Sequence, residues 1–259
     1  MYKKELGVCE MAEPLGFDSI WAVEHHFTDY TLCPNPIEML TYLAGMTDKI
    51  KLGTGAIIIP WHKDPLRVAT DIAMLDNLCD RRLLLGIGRG IGRVEYDGFG
   101  VDMNDSRGIF EESSQMILDM LETGKAKDHD GEHFKQIARD IRPAPLPPYL
   151  DRTYVTCQSP ETAEIIARLG LGMMVFAISP WKSRAEDCRV YRESFLEHHG
   201  REAPPVVANV FVMVDEDGDR ARELAEKYMT DYWISALAHY EMDGTHFTDV
   251  KGYDARPQL

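Results

Sequence analysis

The sequence predicts an α/β fold with a parallel sheet that curls as a barrel. Helical and strand-like patterns alternate almost throughout the chain. Its 259 residues are close to the length typical of one α/β barrel, so 1–259 reads as a single barrel domain. The unusual residues also fall where strands end and helices begin, the rim at which ligands gather in such folds.

In chain order, a helix is expected over roughly residues 3–14, ending at Leu15-Gly16, and SIWAVE (19–24) reads as the first strand. A helix over 36–47 precedes a second strand, KLGTGAIIIP (51–60). Pro65 stands where helices start, and Leu66, Ala69, Ile72, Ala73 and Cys79 repeat at helical spacing to about Asp80. LLLGIG (83–88) is the third strand, and Ser106 is the expected N-cap of a long helix carrying Ile109, Phe110, Ser113, Ile117 and Leu121 on one side. GKAKDHDGEHFKQ and the proline cluster PAPLPPY (143–149) read as a surface excursion, because the alternation then resumes. Strands are expected at 153–157, 173–178 and 206–214, with helices from Ser159-Pro160, over 182–198, and from Asp217 towards Tyr240.

This predicts six strands and seven helices, whereas a barrel has eight strands, each followed by a helix. The count fits a barrel lacking its first strand and its last strand-helix unit, with a strand near 248–253 as the alternative. Both losses open one seam, so exposed strand edges and weakened ligand binding or low solubility are the expectation for this length of chain.

Twenty-eight Lys and Arg against 43 Asp and Glu leave a formal charge of -15, which repels nucleic acid and anionic membranes. A phosphate-bearing cofactor would therefore need a local site of backbone N–H groups and an arginine. The five cysteines are scattered, odd in number and without metal-ligand spacing, which argues for a reducing cytoplasm. No apolar run reaches transmembrane length, and MYKKELGVCE lacks the apolar centre of a secretory signal, so a cytoplasmic protein is expected.

The rim residues carry the candidate chemistry. They are His25-His26, Pro60-Trp61-His62, Gly88-Arg89-Gly90, Gln158-Ser159 and Ser179-Pro180-Trp181. GIGRGIG (86–92) is a Gly-rich turn with one fixed cation. It suits either close approach to a phosphate or a tight strand exit with an arginine in a structural ion pair. CQSPET (157–162) sets Ser159 at a helix start with Thr162 one turn in, either an anion site or an ordinary cap. In EHHF (24–27), adjacent strand residues point to opposite faces, which speaks against one metal ion shared by both histidines. If Trp21 and Val23 share a face with His25, only that histidine reaches the interior, as a base or hydrogen-bond donor. Glu95 follows the Gly-rich loop and can face the site. Asp76, ahead of Arg81-Arg82, suggests a structural ion pair, and Trp181 suits either the edge of a planar cofactor ring or the core. His198-His199 closes a helix and reads as exposed.

Taken in order, GFDSIWAVEHHF (16–27), DPLRVATDIAMLDNL with RRLLLGIGRG (64–90), FGVDMNDSRGIFEES from Phe99, PAPLPPY, CQSPETAEIIARLG and HFTDVKGYD (246–254) resemble the bacterial luciferase-like flavin-dependent monooxygenases. The resemblance covers nearly the whole chain. It implies a TIM barrel that binds reduced FMN, supplied by a flavin reductase, and reacts it with molecular oxygen to a C4a-peroxide that oxidises a small organic substrate. It assigns Arg89, Ser159 and Thr162 to the phosphate and His25 to catalysis. It aligns Glu95 with an acidic residue of the loop and Gln158 with an acidic neighbour of the phosphate. Gly88 stands where luciferase α-type chains have a reactive cysteine, which speaks against light emission. Relatives with this fold use reduced deazaflavin, and some are non-catalytic partner subunits; EHHF and FGVDMNDSR favour the FMN branch. A homodimer, or a heterodimer with a homologous subunit, is implied through the helices near 36–47 and 65–80, with Met39, Leu43 and Met74 as candidate contacts.

Overall fold

The computed structural model describes residues 1–176, 181–241 and 250. α1 (Tyr2–Glu10) leads into β1 (Ser19–Ala22), α2 (Pro36–Ala44), β2 (Lys51–Thr54) and β3 (Ile57–Ile58). α3 (Pro65–Leu78), β4 (Leu83–Gly88), α4 (Arg93–Phe99) and α5 (Ser106–Thr123) follow. Four short strands come next: β5 (Lys125–Ala126), β6 (His129–Asp130), β7 (Lys135–Gln136) and β8 (Arg139–Asp140). The chain then runs through β9 (Thr153–Cys157), α6 (Pro160–Arg168), β10 (Gly172–Phe176), α7 (Trp181–His199), β11 (Val207–Asn209) and α8 (Gly218–His239).

The main sheet has the order β1-β2-β4-β9-β10-β11, with β3 beside β4, and every pairing is parallel. That is the order of successive β/α units in a barrel. Among the described residues no strand bonds the outer edge of β1 or of β11, so the sheet is an open arc. The expected strand at 248–253 lies outside the described residues, as does HFTDVKGYD apart from Val250. The expected excursion is two small antiparallel pairs, β5 with β8 and β6 with β7.

Local signals place the helix starts. Asp64 accepts hydrogen bonds from the Leu66 and Arg67 amides ahead of Pro65, and Asp217 does the same for Asp219 and Arg220. Ser106 is not the cap of α5 as expected. Asp105 holds that position, and the Ser106 hydroxyl donates to the Met103 carbonyl.

Three other expectations change. The single strand over 51–60 is broken because Thr54 replaces part of the ladder with its side chain. Its hydroxyl donates to the Gly86 carbonyl and accepts from the Gly86 amide, both at 2.8 Å. Pairing resumes only at Ile57 with Ile87. The approach is so close that a Cβ on Gly86 would lie 1.9 Å from the Thr54 carbonyl oxygen. Gly86→Ala is therefore expected to cost about 1–3 kcal/mol or more in urea unfolding, and an unchanged midpoint would show that the strands can part without penalty. The strand expected over 206–214 ends at Asn209, which pairs with Phe176, the last described residue of β10; Val210 to Val214 are exposed. α4 was not expected, because its seven residues include Gly98 and carry no apolar repeat.

The core lies between the sheet and the helices on its outer side. Leu52, Leu85 and Val175 from the sheet meet Leu40, Ile72 and Ile117 from α2, α3 and α5, all buried. Leu43 belongs to this core as well and is not available as a dimer contact; Met39 is part-buried against it, and Met74 is exposed. Asp76 is fully buried, and its partner is not Arg81 or Arg82. Both carboxylate oxygens accept from Arg152 at 2.6 Å, and Oδ2 also accepts from the Tyr149 hydroxyl at 2.8 Å. Arg82 instead donates to the carbonyls of Ala44, Thr47, Ile50 and Cys79.

Candidate active site

The carboxyl ends of the strands open on a cavity of about 750 Å³ that continues along a groove beside α5 and α6, lined by Leu118, Leu150 and Leu171; in size it falls within the range of cofactor and ligand sites. Ile58, Ile87, Val155 and Phe176 give it apolar walls. Arg89 enters from the exit of β4 and Gln158 from the exit of β9, with Thr162 from the first turn of α6. Ser159 is the N-cap of α6: its hydroxyl accepts the Thr162 amide at 3.3 Å and lies 3.0 Å from the Thr162 hydroxyl. One helix start therefore presents two hydroxyls beside its first amides.

Glycines shape the β4 exit. Gly90 has φ +78, and a Cβ there would lie 2.6 Å from Ile58 Cγ2. At Gly88 a Cβ would sit 3.0 Å from Thr156 Oγ1 and 3.2 Å from Ile58 Cδ1, so a cysteine would need its neighbours to shift. The buried Cys157, at the end of β9, has its thiol pushed up to about 12 by burial and stays protonated at neutral pH.

The two adjacent histidines part company after β1. His25 lines the large cavity, whereas His26 lines a separate recess of about 150 Å³. Glu24, buried between them, organises the second group. Its Oε1 accepts from Trp61 Nε1 at 2.6 Å and lies 3.1 Å from both His26 Nε2 and His62 Nε2, and its Oε2 accepts the Ile58 amide at 2.9 Å. Burial alone would raise this carboxyl, but the bonds from His26, His62 and Trp61, with the charge of His62, outweigh it and hold the group down to about 2.

Glu95, on α4, is 1% exposed and faces His25. Its Oε1 accepts the His26 amide at 2.8 Å and lies 3.2 Å from His25 Nδ1. Its Oε2 is 3.5 Å from Nε2 of His239, a buried residue that ends α8. Here too burial pushes the carboxyl up, and hydrogen bonding to His239 and His25 more than reverses it, keeping Glu95 below the usual carboxylate range. Tyr240 lines the cavity, with its hydroxyl 3.4 Å from His25 Nε2. Tyr30 packs edge-on to His25 with ring centroids 4.9 Å apart, and its hydroxyl meets that of Tyr232.

The structure thus brings His25, Glu95, Arg89, Gly90, Gln158 and Thr162 to one cavity, with Ser159 beside it and Gly88 behind its wall. Trp181 opens α7 exposed to solvent and is not among the residues that line the cavity. Ser179 and Pro180 lie outside the described residues. Sequence reasoning missed Glu24, Tyr30, His239 and Tyr240. The last two close the helix expected from Asp217, and no short-range motif marks them.

A family model described as luciferase-like monooxygenase matches residues 2–257. The alkanal monooxygenase alpha chain of Photorhabdus luminescens is 30% identical over 253 residues, which cover 97% of this chain and 69% of the relative. Among solved structures, monooxygenase RslO1 from Streptomyces bottropensis superposes with a TM-score of 0.85 at 26% identity, over 94% of this chain and 74% of that one. The oxygenating constituent of 3,6-diketocamphane monooxygenase from Pseudomonas putida, in complex with FMN, gives 0.75 at 19%, over 94% and 73%. An F420-dependent secondary alcohol dehydrogenase gives 0.71 at 20%, over 88% and 70%. At 19–20% identity the likeness speaks to fold alone.

Proposed function

The chain belongs to the luciferase-like monooxygenase family, and within it we propose a monooxygenase that uses reduced FMN and molecular oxygen to oxidise a small organic substrate. The observation that carries this reading is the meeting of Arg89, Gln158, Thr162 and His25 on one apolar-walled cavity at the strand ends. The donor set fits FMN. A guanidinium from one strand exit and the hydroxyls and amides of the α6 start from the next suit a phosphate, and the apolar walls beyond them suit a planar ring. Reduced FMN bound there would supply two electrons to molecular oxygen, one atom entering the substrate and the other leaving as water. The chain's own residues hold the phosphate through Arg89, Ser159 and Thr162. The walls keep water from the ring, and His25 stands ready to take or give a proton at Nε2.

Arg89→Ala tests the phosphate assignment. It is expected to weaken FMN binding by about ten- to a hundredfold, the worth of one charge-assisted bond, while riboflavin affinity stays nearly unchanged. Equal losses for the two ligands would remove Arg89 from that role. Oxygen consumption with reduced FMN, against hydride transfer with a reduced deazaflavin, separates the two cofactor readings.

No helix among the described residues is long and apolar enough to cross a membrane. A cytoplasmic enzyme supplied by a flavin reductase is consistent with this and with the charge of -15. Tyr42, Met74 and Leu78 leave an exposed apolar face on α2 and α3, which supports self-association or pairing with a homologous subunit. Light scattering at micromolar concentration is expected to give twice the chain mass, and Met74→Lys to restore the monomer. A monomeric parent protein would dispose of the homodimer.

A further inference from the structure

The side chains behind His25 form a chain in which each proton can be assigned. Glu95, an ionised carboxylate, only accepts hydrogen bonds. Its Oε1 faces His25 Nδ1 at 3.2 Å and its Oε2 faces His239 Nε2 at 3.5 Å, so a bare nitrogen at either position would set lone pair against lone pair. Both nitrogens therefore carry their protons. With Nε2 turned to Glu95, His239 turns Nδ1 to the Thr28 hydroxyl, 2.7 Å away. Thr28 Oγ1 also accepts from the Tyr30 amide at 3.4 Å, and its own proton is free to turn to His239 Nδ1. At the other end, His25 with Nδ1–H has its lone pair on Nε2, 3.4 Å from the Tyr240 hydroxyl and on the cavity side.

We infer that His239 is a positioning residue. Fixed by Thr28 and acting through Glu95, it sets the Nδ1–H tautomer of His25, so that Nε2 is the basic atom presented to the substrate. The inference rests on the functional reading above for what that base does, but the tautomer itself is a property of this chain. Glu95 comes from α4 and His239 from α8, so one buried carboxylate, set between two imidazoles, ties the segment after β4 to the last described helix. His239 is 1% exposed and stacks on Tyr30, with centroids 4.9 Å apart and ring planes 20° apart, so its ring has little freedom to turn. His25 is likewise held, edge-on, by Tyr30, His239 and Tyr240. The His25, Glu95 and His239 ligand atoms also lie within 4.8 Å of one another, a spacing that a metal ion would accept. The carboxylate holds both imidazoles without one, His25 Nδ1 at hydrogen-bond distance and His239 Nε2, at 3.5 Å, through charge attraction short of a full hydrogen bond.

Two variants separate these roles. In His239→Gln the amide N–H can donate to Glu95 and the amide oxygen can accept from Thr28, as neutral His239 does, but glutamine is a poor ligand for zinc and passes no proton. His239→Phe fills the space with no polar atom. The expected result is that His239→Phe lowers kcat about ten- to a hundredfold, as lost orienting partners do, with KM changed less than twofold. His239→Gln should recover most of the rate. In 15N-histidine NMR without flavin, His25 should be the Nδ1–H tautomer in the parent protein and in His239→Gln, and a mixture in His239→Phe. A parent His25 protonated at Nε2, or a tautomer unchanged in a folded His239→Phe protein, would overturn the inference. So would equal activity of the two variants, or stoichiometric zinc in the protein as purified. If the parent protein shows no FMN-dependent oxidation, the functional reading fails, and the NMR result still decides the positioning role.

Discussion

Replacing His25 with alanine is expected to lower kcat for substrate oxidation by about two to four orders of magnitude, the usual worth of a positioned acid–base group. FMN affinity should change little, because His25 belongs to the β1 exit and the phosphate donors to those of β4 and β9. The protein should also stay folded, since the His25 side chain is 16% exposed and its removal leaves Glu95 still accepting the His26 amide at 2.8 Å. The control is His26→Ala. His26 faces the small recess and the Glu24 cluster, so that change should reduce stability more than turnover. Steady-state kinetics with both variants under saturating reduced FMN decide the matter. A His25→Ala enzyme with more than a third of the parent kcat would end the case for a catalytic histidine at this position.

The largest stability effect is expected at Asp76, whose partner Arg152 also bonds the Leu83 carbonyl at the start of β4, the end opposite Arg89. Its carboxylate has no exposure and accepts both terminal nitrogens of Arg152 at 2.6 Å. Asp76→Ala would leave that guanidinium part-buried without its counter-ion, and breaking such a pair on one side costs about 3–5 kcal/mol. The carbonyls of Leu83, Leu146 and Pro148 still accept from Arg152, which argues for the lower end of that range. Urea unfolding followed by circular dichroism gives the measurement. Replacing both partners, Asp76→Leu with Arg152→Met, should cost less than Asp76→Ala alone, because no buried charge then remains unpaired. A loss below about 1 kcal/mol for Asp76→Ala would mean that the pair is effectively solvated, as surface pairs are.

Much of the site was legible as a rim. Arg89 and Gln158 stand directly after strands, with Thr162 one helical turn further on, and parallel strands all deliver their exits to one side. The separation of His25 from His26 follows from the alternation of side chains along extended chain. The Glu95 carboxylate was visible only as an acidic residue after a Gly-rich loop, since its value lies in two histidines 70 and 144 positions away. Nothing local singles out Glu24, since a charged residue at a strand end ordinarily points to solvent. Here three side chains and one amide converge to bury it.

The sequence by itself determined the parallel α/β order and the Asp64-Pro65 and Ser159-Pro160 helix starts. Propensity, capping and side-chain alternation act within a few residues, so they can be read locally. Only the tertiary structure decided that Thr54 breaks a strand by bonding Gly86, that Arg152 rather than Arg81 or Arg82 neutralises Asp76, and that His239 backs Glu95 behind His25. These pairs are 32, 76 and 144 to 214 positions apart. A buried polar group must find a partner or incur a cost of about 1–3 kcal/mol. Which partner it finds depends on the elements that the fold packs beside it, and no short-range pattern encodes that choice.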